Sequence, residues 1–222
     1  MPRRAVFDHD RLARILDAQH QVISRSQALA CGLPRSTVTS WSTPTGKWQR
    51  MLPGVYLTVT GNPTPEQRLV AALLYAGPRS VITGVAALRS YRLRAPGSDV
   101  IDVVVPQGTR RQGTGFVRIH RTRQLPRVYK TGVIRYAAPA RAVADAARLL
   151  PSLDDARAVV AEAIQRQTCS LAQLELERAG SRDSNQLRTA LADVRAGAQD
   201  RGHAGLATGR PADSAASRSC LS

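Results

Sequence analysis

Residues 31–41 have the sequence Cys-Gly-Leu-Pro-Arg-Ser-Thr-Val-Thr-Ser-Trp, and this stretch decides the fold of the N-terminal part of the chain. Gly32 can adopt the left-handed backbone conformation that ends a helix. Leu33 supplies an apolar side chain inside the turn, and Pro34 suits the first position of a new helix. The stretch therefore predicts a tight turn followed by a short helix over Arg35–Trp41.

Two further helices precede this turn. Asp10–Gln19 carries its apolar residues at helical spacing, which predicts one amphipathic helix. Ser24 stands three residues before Gln27, the spacing of a capping box, and this predicts the start of a second helix.

A hairpin is predicted after the third helix. Residues 47–50 and 54–59 have the pattern of two short strands, and Leu52-Pro53-Gly54 lies where the chain must turn. Three helices followed by a hairpin are typical of a winged helix-turn-helix. We therefore predict such a DNA-binding domain over residues 8–60.

In a helix-turn-helix the second helix of the motif lies in the major groove of DNA, and flanking basic residues contact the backbone. The side chains predicted to face bases are Arg35, Ser36, Thr37 and Thr39, and those predicted to face phosphates are Arg25, Lys47 and Arg50. The alternative is a winged helix that packs against another protein and has no DNA function.

The charge of the chain favours a polyanionic partner. The 32 Lys and Arg residues exceed the 16 Asp and Glu residues, which gives a formal net charge of +16. Residues 61–150 alone carry 15 basic and 4 acidic side chains, a net charge of +11. A surface of this kind attracts nucleic acid, so double-stranded DNA is the predicted partner.

The second part of the chain mixes helices with short strands. Thr64-Pro65-Glu66-Gln67 combines an N-cap, a first-turn proline and a capping glutamine, which predicts a helix start. The remaining predicted strands are Val100–Val105, Phe116–Arg121 and Val133–Tyr136, and the remaining predicted helices are Gly84–Arg92, Pro139–Leu150, Asp154–Gln165, Leu171–Arg178 and Leu187–Val194. The fold class is therefore predicted to be α+β, with a second domain over residues 64–195.

From Ala196 the composition changes to Ala, Gly, Ser, Arg and Asp, with few large apolar residues. Such a segment buries too little surface to offset its ordering entropy. Residues 196–222 are therefore predicted to be a disordered tail, either an ordinary flexible end or the product of a shifted reading frame.

Nothing in the sequence predicts catalysis, a metal site or a cofactor. The carboxylates Asp99, Asp102 and Asp145 lie on separate predicted elements, and the three cysteines form no CxxC pair. Cys31 is predicted to be a small buried apolar residue. Since no segment is long and apolar enough to cross a bilayer, we predict a non-enzymatic, soluble cytoplasmic protein without a membrane partner.

Five stretches together resemble a known family: Gly46–Tyr56 (Gly-Lys-Trp-Gln-Arg-Met-Leu-Pro-Gly-Val-Tyr), Thr64–Leu74, Ser80–Leu88, Asp102–Pro106 and Pro139–Ala147. Over roughly residues 8–195 the chain is similar to the AbiEi-type antitoxins of type IV toxin–antitoxin systems, in their actinobacterial branch. The resemblance implies a winged helix that binds operator DNA and represses its own operon.

The same resemblance implies that the domain over residues 64–195 is an antitoxin-like α/β domain that opposes a nucleotidyltransferase-type toxin. Relatives in this branch often continue into a nuclease-like domain, which we expect this chain to lack. Two alternatives remain: a protein-interaction module that binds an acidic partner, and a truncated relic of a nuclease-domain protein.

Overall fold

The computed structural model describes residues 7–179 and 185–206. In these ranges helices and strands are interspersed along the chain, and the strands form two β-sheets. The α+β fold class predicted from the sequence is confirmed. The helices are α1 (His9–Ala18), α2 (Arg25–Ala30), α3 (Arg35–Trp41), α4 (Pro65–Ala76), α5 (Gly84–Ser90), α6 (Pro139–Leu149), α7 (Leu153–Gln165), α8 (Leu171–Ala179) and α9 (Asn185–Leu206). The strands are β1 (Val22–Ser24), β2 (Gln49–Leu52), β3 (Val55–Leu57), β4 (Val81–Thr83), β5 (Ile101–Pro106), β6 (Val117–Thr122), β7 (Val128–Thr131) and β8 (Ile134–Ala137).

Local signals at the start of α2 and α4 form as the sequence predicts. The Ser24 hydroxyl accepts a hydrogen bond from the Gln27 backbone N–H, and the Gln27 side chain accepts one from the Ser24 N–H. Thr64 and Gln67 form the same reciprocal pair. Each capping box satisfies backbone donors that have no partner inside the helix, and so fixes where the helix begins.

The first sheet is three-stranded and antiparallel, with the strand order β1-β3-β2. Ile23 and Tyr56 on one face pack with residues of α1, α2 and α3. Val22, Val55 and Leu57 on the other face belong to a second apolar cluster, which includes Val70 of α4. Both faces are therefore covered, since side chains alternate along a strand.

The second sheet is five-stranded and mixed, with the order β6-β5-β4-β8-β7. β5 pairs in parallel with β6, and β4 with β8, whereas β4–β5 and β7–β8 are antiparallel. Thr83 lies opposite Asp102 in the register and donates a hydrogen bond to Asp145 of α6. Helix α6 therefore lies over the sheet face that carries Thr83 and Asp102.

Helices α6 to α9 pack on one another beyond this sheet. Helix α9 continues to Leu206, so the predicted start of the tail at Ala196 is wrong for residues 196–206. Leu187, Ala190 and Leu191 of α9 are buried, and a helix nucleated by such packing can propagate beyond its packed residues, even though Gly197, Gly202 and Gly205 have low helix propensity. The remainder of the predicted tail, residues 207–222, lies outside the described residues.

In the part of the chain that the structure describes, no helix combines the length and the apolar character needed to cross a membrane.

Candidate functional site

Helix α3 presents most of the predicted base-facing side chains to solvent. Arg35, Ser36 and Thr39 are exposed and Thr37 is half-buried, while Val38 is fully buried against α1 and α2. Gly32 in the preceding turn has a φ of 85°, the left-handed conformation that the sequence predicts there. The turn and the buried Val38 together fix which face of α3 points outward.

A hydrogen bond joins two of the predicted contact residues. Nη2 of Arg25 donates to Oγ1 of Thr39 at 3.5 Å, and the Thr39 hydroxyl donates to the Arg35 carbonyl at 2.8 Å. The Arg25 backbone N–H also donates to the carbonyl of Gly54, in the turn of the hairpin, at 2.8 Å. Arg25 therefore links α3 to the hairpin, and the Thr39 hydroxyl is engaged within the protein.

Lys47 lies against the C-terminal end of α3. Its Nζ is 3.5 Å from the centre of the Trp41 ring, in a cation–π contact. The Trp48 N–H donates to the Trp41 carbonyl at 2.8 Å, and the two tryptophan rings meet edge to face. The connection from α3 to β2 therefore folds back onto the helix and holds Lys47 beside it.

Arg50 lies on β2, opposite Tyr56 of β3, and its side chain is exposed. Among the described residues no hydrogen bond or ion pair joins its side chain to the other six predicted side chains. The structure thus links Arg25, Arg35 and Thr39 by hydrogen bonds, places Lys47 at the far end of the same helix, and leaves Ser36, Thr37 and Arg50 as separate positions.

The chain is similar in fold to a mycobacterial protein. The crystal structure of RV2827C protein from Mycobacterium tuberculosis superposes with a TM-score of 0.53 and 15% sequence identity, over 96% of this chain and 86% of that one. At this identity the similarity shows the fold alone. No family model matches the sequence, and the search of curated proteins gives no match either.

A second cluster of charged residues lies on the five-stranded sheet, and sequence reasoning missed it. Asp102 of β5 is almost fully buried and accepts hydrogen bonds from Arg118 Nε at 2.6 Å and Arg118 Nη2 at 3.1 Å. Nε2 of His120 lies 2.7 Å from the same carboxylate. Strand alternation does predict Arg118 and His120 on one face, but only the pairing of β6 with β5 places Asp102 beside them.

The Asp102 carboxylate is held in its charged form. Burial by itself raises its pKa, but the hydrogen bonds from His120 and Arg118 and their charges outweigh that effect, so the pKa of Asp102 is lowered. Gly84 supports this arrangement, because a Cβ added there would come within 3.2 Å of the carboxylate.

This lowered pKa makes a prediction about pH. The ionised carboxylate stabilises the fold above the unfolded-state pKa of about 4, and the contribution is lost as the pH falls through the lower folded-state pKa. Asp102→Asn should therefore be less stable than the unmodified protein at pH 7, and the gap should close below about pH 4. Thermal unfolding from pH 7 to pH 2.5 measures this, with the exposed Asp99→Asn as the control. A gap that is as large at pH 2.5 as at pH 7 would contradict the assignment.

A second buried carboxylate, Asp145 of α6, lies at the centre of a hydrogen-bond network. It accepts from the Thr83 hydroxyl at 2.7 Å, from Arg141 Nε at 2.8 Å and from Arg148 Nη1 at 2.9 Å. Asp102 and Asp145 lie on separate elements, β5 and α6, as the sequence predicts. Strand β4 joins them, because Thr83 lies opposite Asp102 and also bonds Asp145.

Arginines therefore surround both buried carboxylates. Among the described residues no group of three or more His, Cys, Asp or Glu side chains is arranged to hold a metal ion. Cys31 is 2% exposed, and its prediction as a buried apolar residue is confirmed.

Proposed function

We propose that this protein is a DNA-binding transcriptional regulator and that helix α3 enters the major groove of duplex DNA. The observation that carries this proposal is the outward face of α3, where Arg35, Ser36 and Thr39 are exposed above the fully buried Val38. Arg, Ser and Thr side chains donate to base edges and to phosphates.

The order of the elements supports the same function. From α1 to β3 the chain runs helix, strand, helix, helix, strand, strand, the order of a winged helix-turn-helix. Arg25 is hydrogen-bonded to the hairpin turn through its backbone, and Lys47 is held at the end of α3. With Arg50 on the hairpin, these cations flank the helix where phosphates would lie.

From its resemblance to AbiEi-type antitoxins, we further propose that the protein represses its own toxin–antitoxin operon and opposes a nucleotidyltransferase-type toxin. Such a role requires a cytoplasmic protein and no catalytic step. The bonding of Asp102 and Asp145 to arginines supports the second requirement, since neither carboxylate is free to hold a reactive metal ion. A reporter gene placed behind the region upstream of this gene would lose expression when the protein is present.

Duplex binding should weaken steeply as the salt concentration rises, with a log–log slope of about −0.9 for each phosphate contact. Arg50→Ala should flatten this slope by about one unit and weaken all duplexes alike. Arg35→Ala should cost about 1–3 kcal/mol on the preferred site if the guanidinium pairs with a guanine edge. Fluorescence anisotropy of labelled duplexes from 50 to about 300 mM salt measures both effects.

Arg89→Ala is the matched control, because Arg89 is an exposed arginine on α5, remote in sequence from α3 and the hairpin. If Arg89→Ala changed the slope as much as Arg50→Ala does, binding would reflect overall charge and not the proposed surface. Absence of salt-dependent duplex binding at micromolar protein would reject the proposal.

A further inference from the structure

A cleft of about 1160 Å³ opens where strand β6 ends. Its walls are the connection between β6 and β7, helix α6 and helix α8. Its apolar lining residues are Leu125, Pro126, Leu149, Leu176 and Ala179. The volume is that of a site for a small organic molecule and far exceeds what a single inorganic ion fills.

The lining carries more positive than negative charge. Its arginines are Arg121, Arg123, Arg127, Arg141 and Arg148, and its carboxylates are Asp145 and Glu177. Both carboxylates are already engaged, since Asp145 bonds Arg141 and Arg148, and Glu177 lies 3.6 Å from Arg141. Among the described residues the other three arginines, which also line the cleft, have no carboxylate partner, although the Arg127 guanidinium lies over the Tyr129 ring at 5.6 Å. Their positive charges are therefore not neutralised by an ion pair.

Arg121 is positioned by hydrogen bonds to neutral carbonyl groups, and Arg148 keeps one donor unused. Nε of Arg121 donates to the Thr109 carbonyl at 2.9 Å, and its Nη2 donates to the Arg111 carbonyl at 2.7 Å. Nε of Arg148 is buried and has no hydrogen-bond partner among the described residues. His120 is anchored to Asp102 through Nε2, which leaves its other ring nitrogen for a ligand.

We propose that this cleft binds an organic molecule that carries at least two phosphate groups, such as a nucleoside triphosphate. Guanidinium groups bind phosphate through paired, charge-assisted hydrogen bonds, and three uncompensated arginines match the charge of a di- or triphosphate. Leu125, Pro126 and Leu149 then contact the organic part of the ligand. The cleft lies on elements that are not part of the proposed DNA-binding surface. The proposal of phosphate binding therefore does not depend on whether α3 binds DNA.

Isothermal titration calorimetry of the full chain, without DNA, tests the proposal with ATP, AMP and inorganic phosphate. ATP should bind most tightly and inorganic phosphate least. The double variant Arg123→Ala/Arg127→Ala removes two exposed arginines, and ATP binding should weaken at least about tenfold, as expected for lost charge-assisted hydrogen bonds. The single variant Arg123→Ala should give a smaller loss in the same direction, and it serves if the double variant does not fold.

The matched control is Arg79→Ala/Arg89→Ala, which removes the same charge at two exposed arginines outside the cleft lining. Its affinity for ATP should lie within about twofold of that of the unmodified protein, because distant surface charges are largely screened by salt. Equal losses in both double variants would overturn the proposal, as would AMP binding as tightly as ATP. Failure of ATP to bind would also overturn it, and if Arg123→Ala/Arg127→Ala then weakened duplex DNA binding, the arginines would be assigned to contacts with a DNA backbone.

Discussion

Asp145→Ala is expected to lower the free energy of unfolding by about 3–5 kcal/mol, because removing one member of a buried ionic network leaves its partners charged and unpaired. Arg141 and Arg148 would each lose a hydrogen bond shorter than 3 Å, and the Thr83 hydroxyl would lose its acceptor. Burial lowers the pKa of Arg148, and the negative charge of Asp145 partly offsets this lowering. In the variant that charge is gone, so the buried Arg148 guanidinium would be less favourable in its charged form. Urea unfolding followed by circular dichroism measures the change.

Two companion variants separate this explanation from a general effect of losing a carboxylate. Asp145→Asn keeps acceptor capacity without the charge, so its stability should lie between those of the alanine variant and the unmodified protein. Asp154→Ala removes an exposed carboxylate that pairs with Arg157, and it should change stability far less. If Asp154→Ala were as destabilising as Asp145→Ala, the buried network could not be the cause.

Gly46→Ala is expected to destabilise the N-terminal helices by about 3 kcal/mol and to reduce duplex binding. An added Cβ would lie 2.6 Å from the Ser40 carbonyl oxygen and would also collide with the carbonyl of Trp41. Those atoms belong to the end of α3 and cannot move aside as a flexible side chain can. The connection that holds Lys47 and Trp48 against the helix would have to lift off.

Gly108→Ala is the control for this variant, because nothing lies within 4 Å of a Cβ at Gly108 and its φ is not in the left-handed region. Thermal unfolding and fluorescence anisotropy should show Gly108→Ala close to the unmodified protein in both measurements. A stable Gly46→Ala protein with full DNA affinity would show that the connection after α3 has no part in presenting the helix.

Signals that act over a few residues predicted much of the fold. The helix Arg35–Trp41 has the predicted bounds, and the capping residues Ser24 and Thr64 start their helices where the sequence places them. These features depend on hydrogen bonds within one turn of helix, so neighbouring residues are sufficient to specify them.

Strands β1, β4 and β7 were not predicted. Val22–Ser24 and Val81–Thr83 have three residues each, and partners distant in the sequence decide their pairing. Val128–Thr131 is exposed along its whole length at the edge of the sheet, so it has no alternation of apolar and polar residues to reveal it.

In the candidate site, too, local sequence signals predict some features and only tertiary packing decides the others. The exposure of Arg35 and Ser36 follows from the helical spacing of Val38 and Trp41, which is a local property. The hydrogen bond between Arg25 and Thr39 and the contact of Lys47 with Trp41 depend on how α2 and the hairpin connection pack on α3. The Asp102 cluster depends on the register between β5 and β6, and no spacing within either strand specifies that register.

The packing of helix α4 limits which N-terminal segments could be transferred to another protein by recombination and still fold. One face of the three-stranded sheet is closed by α4, whose apolar residues continue into the cluster around the five-stranded sheet. A genetic exchange ending at residue 60 would carry Val22, Val55 and Leu57 into a new host with nothing to cover them. The smallest heritable cassette therefore extends through Ala76, and a recipient must also supply an apolar surface for the far side of that helix.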